Sequence, residues 1–80
     1  MAKRKIKPYR FGEVFKNQYL GNRITEVLSK EGKRLGWVWE HTTGRIVVSP
    51  HLGFYIWFAE DGAAWTKESA AVWLVNSARG

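Results

Sequence analysis

The sequence predicts a small single α+β domain in which an antiparallel meander of three to five strands packs against a C-terminal helix. Three observations predict it. Gly32, Gly44, Gly53 and Gly62 fall twelve, nine and nine residues apart, the interval of turns between short strands. The segments between them alternate in polarity or carry β-branched and aromatic residues, which suit a pleated, half-buried surface. After Gly62, Thr66 stands as an N-cap before Lys67 and Glu68, and small and apolar residues then recur at three- and four-residue spacing.

Eighty residues bury proportionally little surface, so the core must be rich. Hydrophobic residues at 45% and aromatics at 15% supply it, each buried aromatic removing about 150–250 Å² from water. There is no cysteine, which excludes disulfides and thiolate metal sites and fits a reducing setting. No apolar run approaches the ~20 residues of a membrane span, and the charged N-terminus lacks the apolar stretch of a signal peptide. A soluble, cytoplasmic protein without membrane contact is expected. The net charge of +6 is concentrated at one end: residues 1–10 hold Lys3, Arg4, Lys5, Lys7 and Arg10 and no acid. The remaining seventy residues carry eight Lys or Arg against seven Asp or Glu.

Residues 1–10, MAKRKIKPYR, lack apolar periodicity, repel one another and include Pro8, which has no N–H for a helix or a ladder. A flexible basic arm ahead of a domain over 11–80 is expected. Over 11–20, Phe11, Val14, Phe15 and Tyr19 recur at helical spacing and Gly21 stands where a helix end favours glycine, which predicts a short N-terminal helix. Gly12 and the aromatics weaken that propensity, leaving a strand or an irregular segment as the alternative. Over 22–29, Ile24, Val27 and Leu28 fit a helix face, but Lys30-Glu31-Gly32-Lys33 suits a hairpin and a helix would break the glycine rhythm. A strand is expected there.

Along 35–40, Leu35, Trp37 and Trp39 alternate with Gly36, Val38 and Glu40. His41-Thr42-Thr43-Gly44 predicts a hairpin loop with Gly44 in the left-handed position. Ile46, Val47 and Val48 centre the next strand over 45–49, which Pro50 is expected to end because it cannot donate to a ladder. Over 54–58, Phe54, Ile56 and Phe58 point one way, Tyr55 and Trp57 the other. The helix is expected over 67–78, with Glu68 at the positive end of its dipole. Ala70, Trp73, Leu74 and Ser77 share one side of it, while Ala71, Val72 and Val75 make the flank apolar too. The aromatic face of the sheet is expected to pack against this helix.

Four chemistries fit parts of this pattern. Dense Lys and Arg in the arm suit phosphates, because each neutralised phosphate releases condensed counterions. Aromatics on a sheet face can stack unpaired bases at ~1–3 kcal/mol each, although filling the core of an undersized domain is the commoner use of such residues. Gly53-Phe54-Tyr55-Ile56-Trp57-Phe58 superficially resembles the aromatic strand of an RNA-recognition motif, but over six residues only, without its leading basic residue or its βαββαβ order. A basic edge formed by Arg23, Lys30, Lys33, Arg34 and Arg45 suits the major groove or, more commonly, edge-strand protection. In element order, strands followed by one helix, the chain is similar to the sheet-type DNA-binding modules of tyrosine-type integrases, with no shared motif.

Catalysis by His41 and His51 with Glu40, Glu60, Asp61 or Arg45, as in a small ribonuclease, is not demanded by any spacing, and two histidines without cysteine do not make a zinc site. Finally, apolar residues on both flanks of the helix and both faces of 54–58 exceed what one thin core covers.

Together the residues favour a small non-enzymatic nucleic-acid-binding or regulatory module for DNA or RNA. Lys3, Arg4, Lys5, Lys7 and Arg10 would grip phosphate, Lys33, Arg34 and Arg45 would contribute from the sheet, and Trp37, Trp39, Tyr55 and Trp57 offer stacking or partner contact. The alternative is a protein–protein inhibitor or adaptor, an accessory protein of the mobile-element type. It would dock on a larger protein complex through its aromatic surface or bury the apolar excess in a homodimer. No cofactor and no metal site is expected.

Overall fold

The turn glycines punctuate the chain as their spacing predicts. In the computed structural model, which describes residues 8–16, 22–51 and 53–78, all four carry positive φ, between 82° and 92°. After β1 (Tyr9–Lys16), they separate β2 (Arg23–Ser29), β3 (Arg34–Glu40), β4 (Ile46–His51) and β5 (Phe54–Ile56) from one another and β5 from the final helix, α1 (Lys67–Ala78). The five strands form one antiparallel sheet in the order β1-β2-β3-β4-β5. At the β3–β4 loop, Gly44 N–H donates to His41 O at 2.9 Å and His41 N–H to Arg45 O at 2.8 Å, closing the hairpin.

The N-terminal expectation is corrected. Residues 9–16 are a strand and no helix; residues 17–20 lie outside the described residues. A bulge explains the misleading spacing. Phe11 pairs with Val27 and Val14 with Thr25, so Gly12 and Glu13 together stand opposite Glu26. The extra residue returns Phe11 and Val14 to one face at an interval of three, which in sequence imitates a helix. The arm boundary also moves: Tyr9 and Arg10 open β1, and Tyr9 is buried in the core. Residues 1–7 lie outside the described residues.

Two strand ends differ from expectation as well. β4 runs through Pro50 to His51, because its last pair with β3 is Ser49 with Trp37 and its pairing with β5 is irregular between Val48 and His51. A proline tolerated at such an irregularity interrupts no ladder bond. β5 ends at Ile56, short of Phe58: the Trp65 indole N–H donates to Ile56 O at 3.1 Å, and Phe58 forms an isolated bridge with Ala64.

The helix covers the aliphatic face of the sheet, not the aromatic one. Val27, Val38, Val48 and Leu74 are fully buried together with Ala70 and Ala71, and Tyr9, Trp65 and Val75 complete the cluster. Small residues decide this choice. A Cβ on Gly36 would stand 2.6 Å from Ser49 O and 2.8 Å from Leu74 Cδ2, so only glycine lets the helix approach β3 this closely. A second bulge acts on β3: Val27 pairs with Gly36 but Leu28 with Arg34, leaving Leu35 as the extra residue. Leu35 therefore packs against the helix-side core instead of joining Trp37 and Trp39.

The helix begins as predicted. Ser69 N–H donates to Thr66 Oγ1 at 3.0 Å, and Thr66 N–H to Ser69 Oγ at 2.9 Å, a reciprocal cap that satisfies donors a helix start leaves open. Its buried seam is Ala70, Ala71, Leu74 and Val75. Val72 is exposed and Trp73 half-buried against Trp65, with ring centroids 6.1 Å apart. Five strands at about 4.8 Å make a sheet roughly 19 Å wide, whereas a helix is about 10 Å across. One helix cannot cover one face completely, and Phe11 and Val14 on β1 stay exposed beside it.

Candidate nucleic-acid interface

The sheet face turned away from α1 holds the aromatics. Cross-strand pairing sets Phe15 beside Ile24, Ile24 beside Trp39 and Trp39 beside Val47, while Glu26 stands beside Trp37 and Trp37 beside Ser49. Tyr55 meets Trp39 edge to face, with centroids 5.3 Å apart. Tyr55 and Trp57 are 43% and 47% exposed, and Trp37 and Trp39 are half-buried. Beneath them Val47 is buried, so these rings roof the sheet on a side the helix does not reach.

Arginines bracket the rings. The bulge at Leu35 turns Arg34 to the side of Trp37, where its guanidinium lies 5.2 Å from the Trp37 ring and its Nε–H donates to Glu26 Oε2 at 2.5 Å. Glu26 itself fits because Gly12 opposite has no side chain: a Cβ there would collide with Glu26 Oε1. At the other end, Arg45 stands over Trp57 at 6.0 Å and over Phe58 at 5.3 Å. A guanidinium within cation–ring distance of an aromatic can still donate its outer N–H groups to an anion.

A cleft of about 220 Å³ opens on this face, lined by Asn22, Trp39, His41, Val47, Tyr55 and Trp57. The Trp39 indole N–H is buried without an acceptor among the described residues, a condition that costs about 1–3 kcal/mol. A larger cleft, about 630 Å³, lies on the helix side with Glu60, Asp61, Trp65 and Trp73 in its wall. Its acids have the wrong sign for phosphate, so the smaller cleft is the better candidate.

Of the residues singled out from sequence, Arg34, Arg45, Trp37, Trp39, Tyr55 and Trp57 come together on the open face. Arg10 reaches the same side from β1, paired with Leu28, and its guanidinium approaches Gly32 in the β2–β3 turn. Lys33 is exposed in that turn, its own N–H donating to Ser29 Oγ at 3.0 Å. Lys3, Arg4, Lys5 and Lys7 lie outside the described residues.

The two histidines do not meet. His41 borders Arg45 and tilts against Trp57 at 5.8 Å, while His51 ends β4 against Phe54 at 5.2 Å. Six residues of strand separate their positions, about 20 Å at ~3.3 Å per residue. Among the described residues no three His, Asp or Glu side chains gather as a metal site would need.

Asn22 and His41 were not foreseen as neighbours of the tryptophans. They border Trp39 only because Arg23 pairs with Glu40, which brings the start of β2 to the end of β3. No local signal in the sequence carries that. No helix among the described residues is long and apolar enough to cross a membrane. No protein-family model, curated protein or solved structure matches this chain.

Proposed function

We propose that this protein is a non-enzymatic, cytoplasmic nucleic-acid-binding module that stacks unpaired bases of DNA or RNA on the open face of its sheet. The observation that carries this reading is the gathering of Trp37, Trp39, Tyr55 and Trp57 with Arg34 and Arg45 on the face opposite α1. Rings accept any base because every base has a π-face, and flanking guanidiniums reach the phosphates between bases. Glu26 pairs with Arg34 and offsets its charge, and Glu13 stands opposite Glu26 at the outer edge, so the pull of this face on phosphate rests chiefly on Arg45 and Arg10 while Arg34 contributes its outer N–H groups. Residues 1–7, with four positive charges, add sequence-independent affinity for phosphate.

Fluorescence anisotropy with a labelled oligothymidylate of about 15 nucleotides, near the upper site size of a sheet-borne strand site, tests the reading. Binding at low salt should weaken with a log–log slope of about −0.7 per phosphate contacted. Removing residues 1–7 should flatten that slope. Deletion must stop before Tyr9, whose burial makes it part of the core. An unchanged slope rules out the arm as an anchor. If no oligonucleotide binds at low salt, the same rings are better explained as anchors for a protein partner, the adaptor or inhibitor role.

A further inference from the structure

The outer edge of β1 is long and sets exposed apolar side chains among its charges. Among the described residues it pairs with β2 alone, and at eight residues it is the longest strand. Exposed charges and bulges discourage edge pairing, and β1 has both in Arg10, Glu13, Lys16 and its bulge; it also exposes Phe11, Val14 and Phe15 at 37%, 56% and 46%. Phe11 and Val14 lie on the helix side at the margin of α1, where Lys67 Nζ stands 4.7 Å from the centre of the Phe11 ring, and Phe15 lies on the open side beside Ile24.

The bulge makes this strand palindromic in its faces. Moving outward from its centre between Gly12 and Glu13, the first pair of residues stands opposite Glu26 on the open side. Phe11 and Val14 follow on the helix side, then Arg10 and Phe15 on the open side, then Tyr9 and Lys16 on the helix side. Two antiparallel copies related by a two-fold axis perpendicular to the sheet must present matching faces at every pair. A regular strand of eight residues centred between two residues cannot do so, because its alternation reverses across the centre. This one can.

We propose that β1 pairs antiparallel with β1 of a second copy of this chain, centred between Gly12 and Glu13, joining two five-stranded sheets into one. On the helix side, Phe11 of each copy then meets Val14 of the other. On the open side, Arg10 stands across from Phe15 of the second copy, and its guanidinium, which rests beside Gly32 in the single copy, turns outward over that ring. Arg10 is also diagonal to Glu13 of the partner copy, within reach of a long side chain. The two glutamates that approach the axis are thereby each flanked by an arginine. The pairing also sets the two open faces side by side as one surface; it does not depend on what that surface binds.

Sedimentation equilibrium of the full chain across micromolar concentrations should give a reversible monomer–dimer curve. Val14→Lys should leave the far-ultraviolet circular dichroism unchanged and raise the dimer dissociation constant by at least about tenfold, since the symmetric contact is lost twice. The chain has no cysteine, so single cysteines report the register. Glu13→Cys should cross-link on mild oxidation, its two copies lying about 6 Å apart, within disulfide reach. Lys16→Cys should not, its copies being about 23 Å apart at ~3.3 Å per residue. A monomer at every concentration, a Val14→Lys dimer as tight as the original, or cross-linking at Lys16→Cys in place of Glu13→Cys would each overturn the proposal.

Discussion

The two faces of the sheet solve the same problem with different side chains. On the covered face, Gly36, Val38 and Val48 lie flush under Ala70, Ala71 and Leu74, and the contact is close enough that a Cβ at Gly36 has no room. On the open face no second layer lies among the described residues, and Trp39, Tyr55 and Trp57 gather around Val47, with Trp37 beside Ser49, leaving edges and rims in water. The difference teaches what an aromatic excess means where a single helix, among the described residues, covers one face of a sheet. Small aliphatic residues go where a rigid partner must approach; large flat ones go where the sheet must shield itself. A ring that shields a sheet and remains half in water is also a ring that a base or a partner can use.

Leu74→Ala breaks the covered face. Truncating this fully buried side chain should cost about 3 kcal/mol, lowering the melting temperature by roughly 15 °C. Oligonucleotide affinity of the fraction still folded should not change, and a thermal melt followed by anisotropy measures both. Tyr55→Ala breaks the open face: affinity for the oligonucleotide should fall about tenfold, while stability falls by about 1 kcal/mol or less. Equal losses of stability in these two variants would erase the distinction between the faces. Thr66→Ala sharpens it with the smallest change, since loss of the cap with Ser69 should cost about 1 kcal/mol and leave affinity untouched. Urea unfolding reads that loss, and a matching fall in affinity would mean that the helix takes part in binding.

Much of the site was legible as a set of residues and little of it as an arrangement. Arg34, Arg45, Trp37, Trp39, Tyr55 and Trp57 can be named from composition and position alone. Their convergence cannot, because Arg34 reaches Trp37 only through the extra residue Leu35. Asn22 and His41 enter the cleft only through the pairing of Arg23 with Glu40. Arg45 finds Phe58 as well as Trp57 because β5 stops at Ile56 and the chain departs from strict alternation.

By itself, the sequence determined the elements whose causes are local: turns at Gly32, Gly44, Gly53 and Gly62, the strands between them, and a helix starting after Thr66. Those signals act within a few residues, through left-handed backbone, side-chain alternation and capping hydrogen bonds. Only the tertiary structure decided which face the helix covers and where the N-terminal strand lies. Each bulge, at Gly12–Glu13 and at Leu35, shifts a strand's alternation by one residue, and one residue exchanges the two faces of a sheet. Whether a bulge forms depends on what the neighbouring strand and the helix require at that point, Glu26 needing the space over Gly12 and Leu74 the space over Gly36. That requirement is not written in any single stretch of the chain.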